Sequence, residues 1–139
     1  MVTDRMRLLS KRTIGLVVAH TVVYALYCYI QGRVNILFRM EVYVPIIVFF
    51  TLAPLLLVFF LTTETGRLWT IALFGILLSS LIYNIYLKFI PYSLEPMITP
   101  DVIWEIVYEV LFGVVLILEA IGLYLTVGVL QEIHRQTKK

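Results

Sequence analysis

The chain has 139 residues, of which 61% are hydrophobic and 14% charged, with a mean hydropathy of +0.97. Soluble domains run near ~45–50% apolar and ~25% charged, so the composition excludes a soluble domain and predicts an integral membrane protein. A net charge of +2, with the excess cations at the two chain ends, gives no support to a nucleic-acid partner. The length leaves no room for an appended catalytic domain.

Arg5, Arg7, Lys11 and Arg12 precede the first apolar run, residues 14–30. At about 17 residues it exceeds the apolar core of a signal peptide. Tyr27, Cys28 and Tyr29 offer no small-residue cleavage site either, so the run reads as a retained first membrane helix. His20, Tyr24, Tyr27 and Gln31 recur at spacings of three and four, which puts them on one helical face. A proton wire is the functional reading of that stripe, since His and Tyr both donate and accept; a packed aromatic stripe is the plain one. Cys28 is the single cysteine, which excludes an intrachain disulfide, a CxxC pair and a cysteine-rich metal site. It reads as a small buried hydrophobe.

Residues 31–41 mix Arg33, Asn35 and Arg39 with apolar residues, the pattern of a helix extension or of a segment lying in the interface. The second run, residues 42–62, carries Pro45 in its first turn and Pro54 mid-helix. The latter frees a backbone carbonyl, and Thr51 is placed to re-satisfy part of the backbone. The polar link over residues 62–67 is short, so the second and third helices form an antiparallel hairpin. The third run, residues 68–90, holds Ser79 and Ser80, then Asn84 toward the outer side with Lys88 a turn further out on the same face. Gly15-x-x-x-Ala19 and Gly75-x-x-x-Ser79 permit close helix contact, a weak signal because such pairs are common by chance.

Pro91, Pro96 and Pro100 make the next link a loop, and Thr99-Pro100-Asp101 reads as a helix start. The last helix spans the membrane over residues 110–130, with an outer extension from residue 100 that places Trp104 and Tyr108 in an interfacial aromatic belt. The basic tail after residue 130 reads as an orientation signal and lipid-facing anchor. Four runs of spanning length predict an all-α fold: one domain over residues 1–139, four transmembrane helices in an up-down bundle. Arg5, Arg7, Lys11, Arg12, Arg67, Arg135, Lys138 and Lys139 fall on one side, against Arg33, Arg39 and Lys88 on the other. Both termini are therefore expected to be cytoplasmic, in a multi-pass protein of the cell (inner or plasma) membrane.

Glu119 stands in the middle of the fourth run. A charge at the bilayer centre is disfavoured by about 2.5–3.5 kcal/mol on the mildest scale, so acids there are rare and usually functional. Glu105 and Glu109 lie within roughly 80° of it on a helical wheel, and with Lys88 they are candidates for an outer entrance. Their plain reading is as solvated interfacial acids. Counting depth from the cytoplasmic helix ends brings Tyr24, Thr51, Ser79 and Ser80 to the level of Glu119. Together they form a candidate proton or ion site; the alternative is a neutral Glu119 serving as interhelical glue.

No Ser-His-Asp set, HExxH, GxGxxG or phosphate loop occurs, so enzymatic activity in isolation is not expected, nor are a metal or a cofactor. The leading expectation is a small proton- or cation-coupled transporter or channel using Glu119, working in the lipid bilayer as a homo-oligomer or with a membrane-complex partner. The alternative is a non-catalytic subunit of a larger membrane complex. A weaker third is a haem-bearing electron carrier, which would need two His20 side chains shared across a homodimer.

Overall fold

The computed structural model describes residues 3–34, 40–61, 63, 65–89 and 102–138, with side chains for 3–30, 45–61, 63, 65–86 and 102–138. Within them the chain forms four helices and no strand: α1 (Asp4–Val34), α2 (Met40–Val58), α3 (Gly66–Phe89) and α4 (Val102–Thr137). The expected start signal at Thr99-Pro100-Asp101 and the side chains of Gln31 and Lys88 lie outside the described residues.

Two helices are longer than their apolar runs. α1 begins at Asp4, ten residues ahead of Ile14, because Thr3 caps it: its hydroxyl accepts the Met6 N–H at 3.2 Å, and Asp4 in the first turn complements the helix dipole. α4 continues through the basic tail to Thr137 as a single helix of 36 residues. α1, α3 and α4 contain stretches long and apolar enough to cross a membrane (Asp4–Ile30, Gly66–Tyr86 and Val102–Thr137), whereas the described part of α2 holds a shorter apolar helix, Pro45–Val58.

The buried positions follow a heptad-like rhythm. In α1 they are Met6, Ser10, Thr13, Val17, His20, Tyr24, Tyr27 and Ile30; in α3, Gly66, Thr70, Leu73, Leu77, Ser80 and Asn84. In α4, Val115, Glu119, Gly122, Thr126 and Val129 alternate steps of four and three. A seam repeating every ~3.5 residues is the signature of helices packed side by side at a shallow crossing angle. Polar and small residues occupy much of that seam, while Val22, Leu56, Phe59, Leu68, Ile82, Ile117 and Tyr124 are exposed. An apolar exterior around a partly polar interior is what lipid demands, since lipid tails are as apolar as leucine and helices associate there through packing and hydrogen bonds.

Among the described residues α1 packs closely on α2 and α4, and α3 on α2 and α4, while across the α1–α3 diagonal side chains reach each other, as Tyr24 reaches Ser80. Thr3 and Arg5 at the start of α1 meet Glu132 near the end of α4, at 3.1 and 3.8 Å. Tyr27, late in α1, meets Tyr108, early in α4. The link between α2 and α3 is a run of tight turns closed by backbone hydrogen bonds such as Gly66 N–H to the Thr63 carbonyl at 2.9 Å. Gly66 is required there, because a Cβ would collide with the Leu61 carbonyl oxygen.

The core divides into two apolar clusters. Tyr24, Tyr27, Ile30, Phe50, Tyr108 and Val115 form one; Val17, Val58, Leu61, Leu73 and Leu77 form the other. His20 lies between them on α1, Ser80 on α3 and Glu119 on α4. Pro54 is buried inside α2, and the Thr51 hydroxyl donates to the Ile47 carbonyl at 2.6 Å. It does not go to Phe50, whose carbonyl is the one a proline at position 54 leaves without its helical amide.

Candidate functional site

Glu119 is fully buried, at 0% exposure, and three side chains from two other helices converge on a single oxygen. Oε1 accepts from Ser80 Oγ at 2.5 Å and from Asn84 Nδ2 at 3.0 Å. His20 Nε2 lies 3.3 Å from the same atom. Asn84 Nδ2 also reaches Ser80 Oγ at 3.4 Å, an i,i+4 pair that stacks both donors on one face of α3.

The helices come close enough for this because of Gly122, one turn along α4. A Cβ there would stand 2.9 Å from δ-carbons of both Leu16 and Leu77. The glycine thus lets α1 and α3 close on α4 beside the carboxylate.

Three polar atoms of the cluster are buried without any hydrogen-bond partner: Glu119 Oε2, His20 Nδ1 and Asn84 Oδ1. In the tautomer that donates from Nε2, His20 Nδ1 is an acceptor. All three orphans are then acceptors when Glu119 is ionised, and no buried Lys or Arg lies among the residues whose side chains are described.

On the side of the Tyr27–Tyr108 pair the cluster continues as a column of aromatic rings. His20 stacks on Tyr24 with centroids 5.3 Å apart, Tyr24 is 6.0 Å from Tyr27, and Tyr27 stacks on Tyr108 at 5.4 Å. The Tyr27 and Tyr108 hydroxyls are 3.3 Å apart, and Tyr24 is a hydrogen-bonding neighbour of Ser80. On the opposite side Val17, Leu73 and Leu77, each 0% exposed, close the bundle with apolar side chains.

The expected midplane layer is assembled in part. Ser80 contacts Glu119 directly, and Tyr24 adjoins it through His20 and Ser80. Thr51 is occupied within α2, where its carbonyl also accepts from Thr21 at 3.5 Å. Ser79 is exposed and donates to the Gly75 carbonyl at 2.7 Å, on the outward face of α3. Of the α1 stripe, His20, Tyr24 and Tyr27 are buried. Glu105 and Glu109 are exposed, as interfacial acids would be.

Two features were not expected from the sequence: that His20 meets Glu119, and that Asn84, assigned to the outer side beside Lys88, belongs to the same cluster. The heptad rhythm of polar residues carries the signal for both, since it selects His20, Ser80 and Asn84 and rejects Ser79. The pairs Gly15/Ala19 and Gly75/Ser79 lie on the exterior, and nothing within 4 Å would meet a Cβ on either glycine. His20 is 0% exposed inside its own bundle and turns Nε2 to Glu119, rather than facing outward as the shared-histidine haem arrangement would need. No group of three or more His, Cys, Asp or Glu side chains suited to a metal ion occurs among the described residues.

Comparison with known protein families, curated proteins and solved structures finds no match for this chain. The site itself must carry the functional argument.

Proposed function

We propose that the chain is a small proton- or cation-coupled membrane transporter or channel, with Glu119 as the group that takes up and releases the transported charge. One observation carries the reading: the cluster around Glu119 is half finished. Interhelical glue explains Oε1, which draws donors from α1 and α3 onto α4. It does not explain Oε2, His20 Nδ1 and Asn84 Oδ1, because a buried polar network that serves only stability closes its bonds. A site that loads and unloads a proton or an ion keeps acceptors free for it.

His20 acts as the positioning partner. It can hand a proton to Glu119 or hold one beside it, and the imidazole and carboxylate together are neutral when the pair carries one proton. Ser80 and Asn84 keep the carboxylate oriented while it gains and loses charge.

The bundle that frames this site is read as up-down, with α2 as the fourth crossing. Its 19 residues give a length of about 28 Å, close to the ~30 Å hydrocarbon core. The meeting of Thr3 with Glu132 and of Tyr27 with Tyr108 supports opposed directions for α1 and α4. The cations beside the chain ends support a cytoplasmic location for both termini, in the cell membrane.

Reconstitution of wild type and Glu119→Gln into liposomes containing a pH-sensitive dye tests the reading. Wild type collapses an imposed proton or cation gradient, and the folded Gln protein, equally incorporated, does so at least about tenfold more slowly, a loss of ~1.4 kcal/mol or more of barrier lowering. Equal rates in the two proteins would remove Glu119 from the mechanism.

A further inference from the structure

We infer that the Glu119 site holds one positive charge at a time, either a proton on the Glu119–His20 pair or a small monovalent cation, and that each displaces the other. The inference rests on the functional reading above and specifies its substrate class as a proton exchanged for an alkali or ammonium ion.

Charge balance comes first. Glu119 is fully buried, and every Lys and Arg whose side chain is described is exposed. The cationic partner available to it is therefore His20, 3.3 Å away. With one proton the pair is neutral; without it the pair carries a full negative charge in a low-dielectric interior, where ions are strongly disfavoured unless paired. Something positive must arrive when the proton leaves.

The second observation is what the site offers a guest. Glu119 Oε2, Asn84 Oδ1 and His20 Nδ1 are buried and unpartnered. Oε2 belongs to the same carboxylate as Oε1, and Oδ1 to the amide that donates to Oε1, whereas Nδ1 lies across the imidazole ring from the nitrogen that faces Glu119. Carboxylate and amide oxygens suit small hard cations and also accept from the N–H groups of ammonium, so Oε2 and Oδ1 are the ligands the site offers. The donor set is too poor in anionic ligands for a divalent ion, having one carboxylate and no second acid within the cluster.

The remaining elements neither compensate nor compete. α2 presents no ionisable side chain between Pro45 and Val58. α1 presents Tyr24 beside His20 and Tyr27 beyond it, α3 presents the neutral Ser80 and Asn84, and α4 presents Tyr108 further along the column. In the exchange the pair's proton leaves, breaking the Glu119 O–H bond or the His20 N–H bond according to which group holds it, and passes to water; the cation takes its place beside the carboxylate. The net charge of the site is unchanged.

The exchange is read as proton release. Purified protein in unbuffered detergent solution with a pH indicator receives LiCl, NaCl, KCl or NH4Cl, with N-methylglucamine chloride as the control. At least one small cation should release about one proton per chain, and its apparent affinity should rise about tenfold for each unit of pH while the site remains protonated. Glu119→Gln should release none. Asn84→Leu, which removes one acceptor but neither proton-carrying group, should weaken the cation's apparent affinity in this assay more than about threefold. Release by wild type decides the question even if a variant fails to fold. Binding of a cation by calorimetry without proton release would overturn the exchange, as would no release by any salt. If no salt releases a proton while flux still depends on Glu119, the site is a proton site alone. Flux indifferent to Glu119 would instead sink the reading on which the exchange rests.

Discussion

Ser80 and Ser79 are chemically identical neighbours with opposite fates. The first donates to Glu119 inside the bundle, and the second closes a bond to its own helix on the exterior. A bond to a buried carboxylate is worth about 1–2 kcal/mol once the modest strength of hydrogen bonds measured within membranes is weighed in. Ser80→Ala should therefore lower stability by that amount in a denaturant titration and slow Glu119-dependent flux. Ser79→Ala should stay within ~0.5 kcal/mol of wild type. Equal effects from the two serines would refute the assigned faces. Glu119 itself is legible in the sequence because a carboxylate in a spanning run has few bland explanations. Its partners are less so, since depth counting begins helix one at Ile14 whereas α1 begins at Asp4. Counted from its true end, His20 lies about 24 Å along α1, near the ~27 Å that separates Glu119 from the end of α4. Counted from Ile14, Tyr24 takes its place at that level.

At the scale of elements, four helices and the approximate limits of each are written in the hydropathy pattern, and the polar link before Gly66 marks the turn between α2 and α3. The face that each helix turns inward is not written there, because hydropathy finds apolar stripes and here the exterior is the apolar side. Small and polar residues at steps of three and four mark the seam instead. Gly122 tests this reading. The δ-carbons of Leu16 and Leu77 that a Cβ would meet at 2.9 Å are the flexible ends of their side chains, so Gly122→Ala should be tolerated with small shifts. Gly122→Leu should wedge α1 and α3 away from α4, costing about 1–3 kcal/mol as overpacking does and pulling His20 and Ser80 off the carboxylate. Denaturant stability combined with flux separates the outcomes; a Leu variant with wild-type stability and flux would show that the three helices do not close at that point.

For the whole molecule, an apolar shell over a partly polar seam is compatible with a lipid setting, and Glu119 is the acid that stands away from the helix ends inside it. The proposed orientation brings Thr3 and Lys138 to the cytoplasmic face. A single cysteine introduced at either position, in a Cys28→Ser background, should resist a membrane-impermeant maleimide in intact cells and react after permeabilisation. Labelling of either position in intact cells would reverse the sidedness or split the termini.

The central claim is that Glu119 exchanges its proton with water, and infrared difference spectroscopy of the protein in a lipid film tests it most directly. As buffer pH is cycled, a carboxylic-acid carbonyl band should disappear and return, with a carboxylate band of opposite sign, and both should be absent from Glu119→Gln. A carbonyl band that depends on Glu119 yet stays constant across the pH range would contradict the account, leaving a permanently protonated acid that ties three helices together.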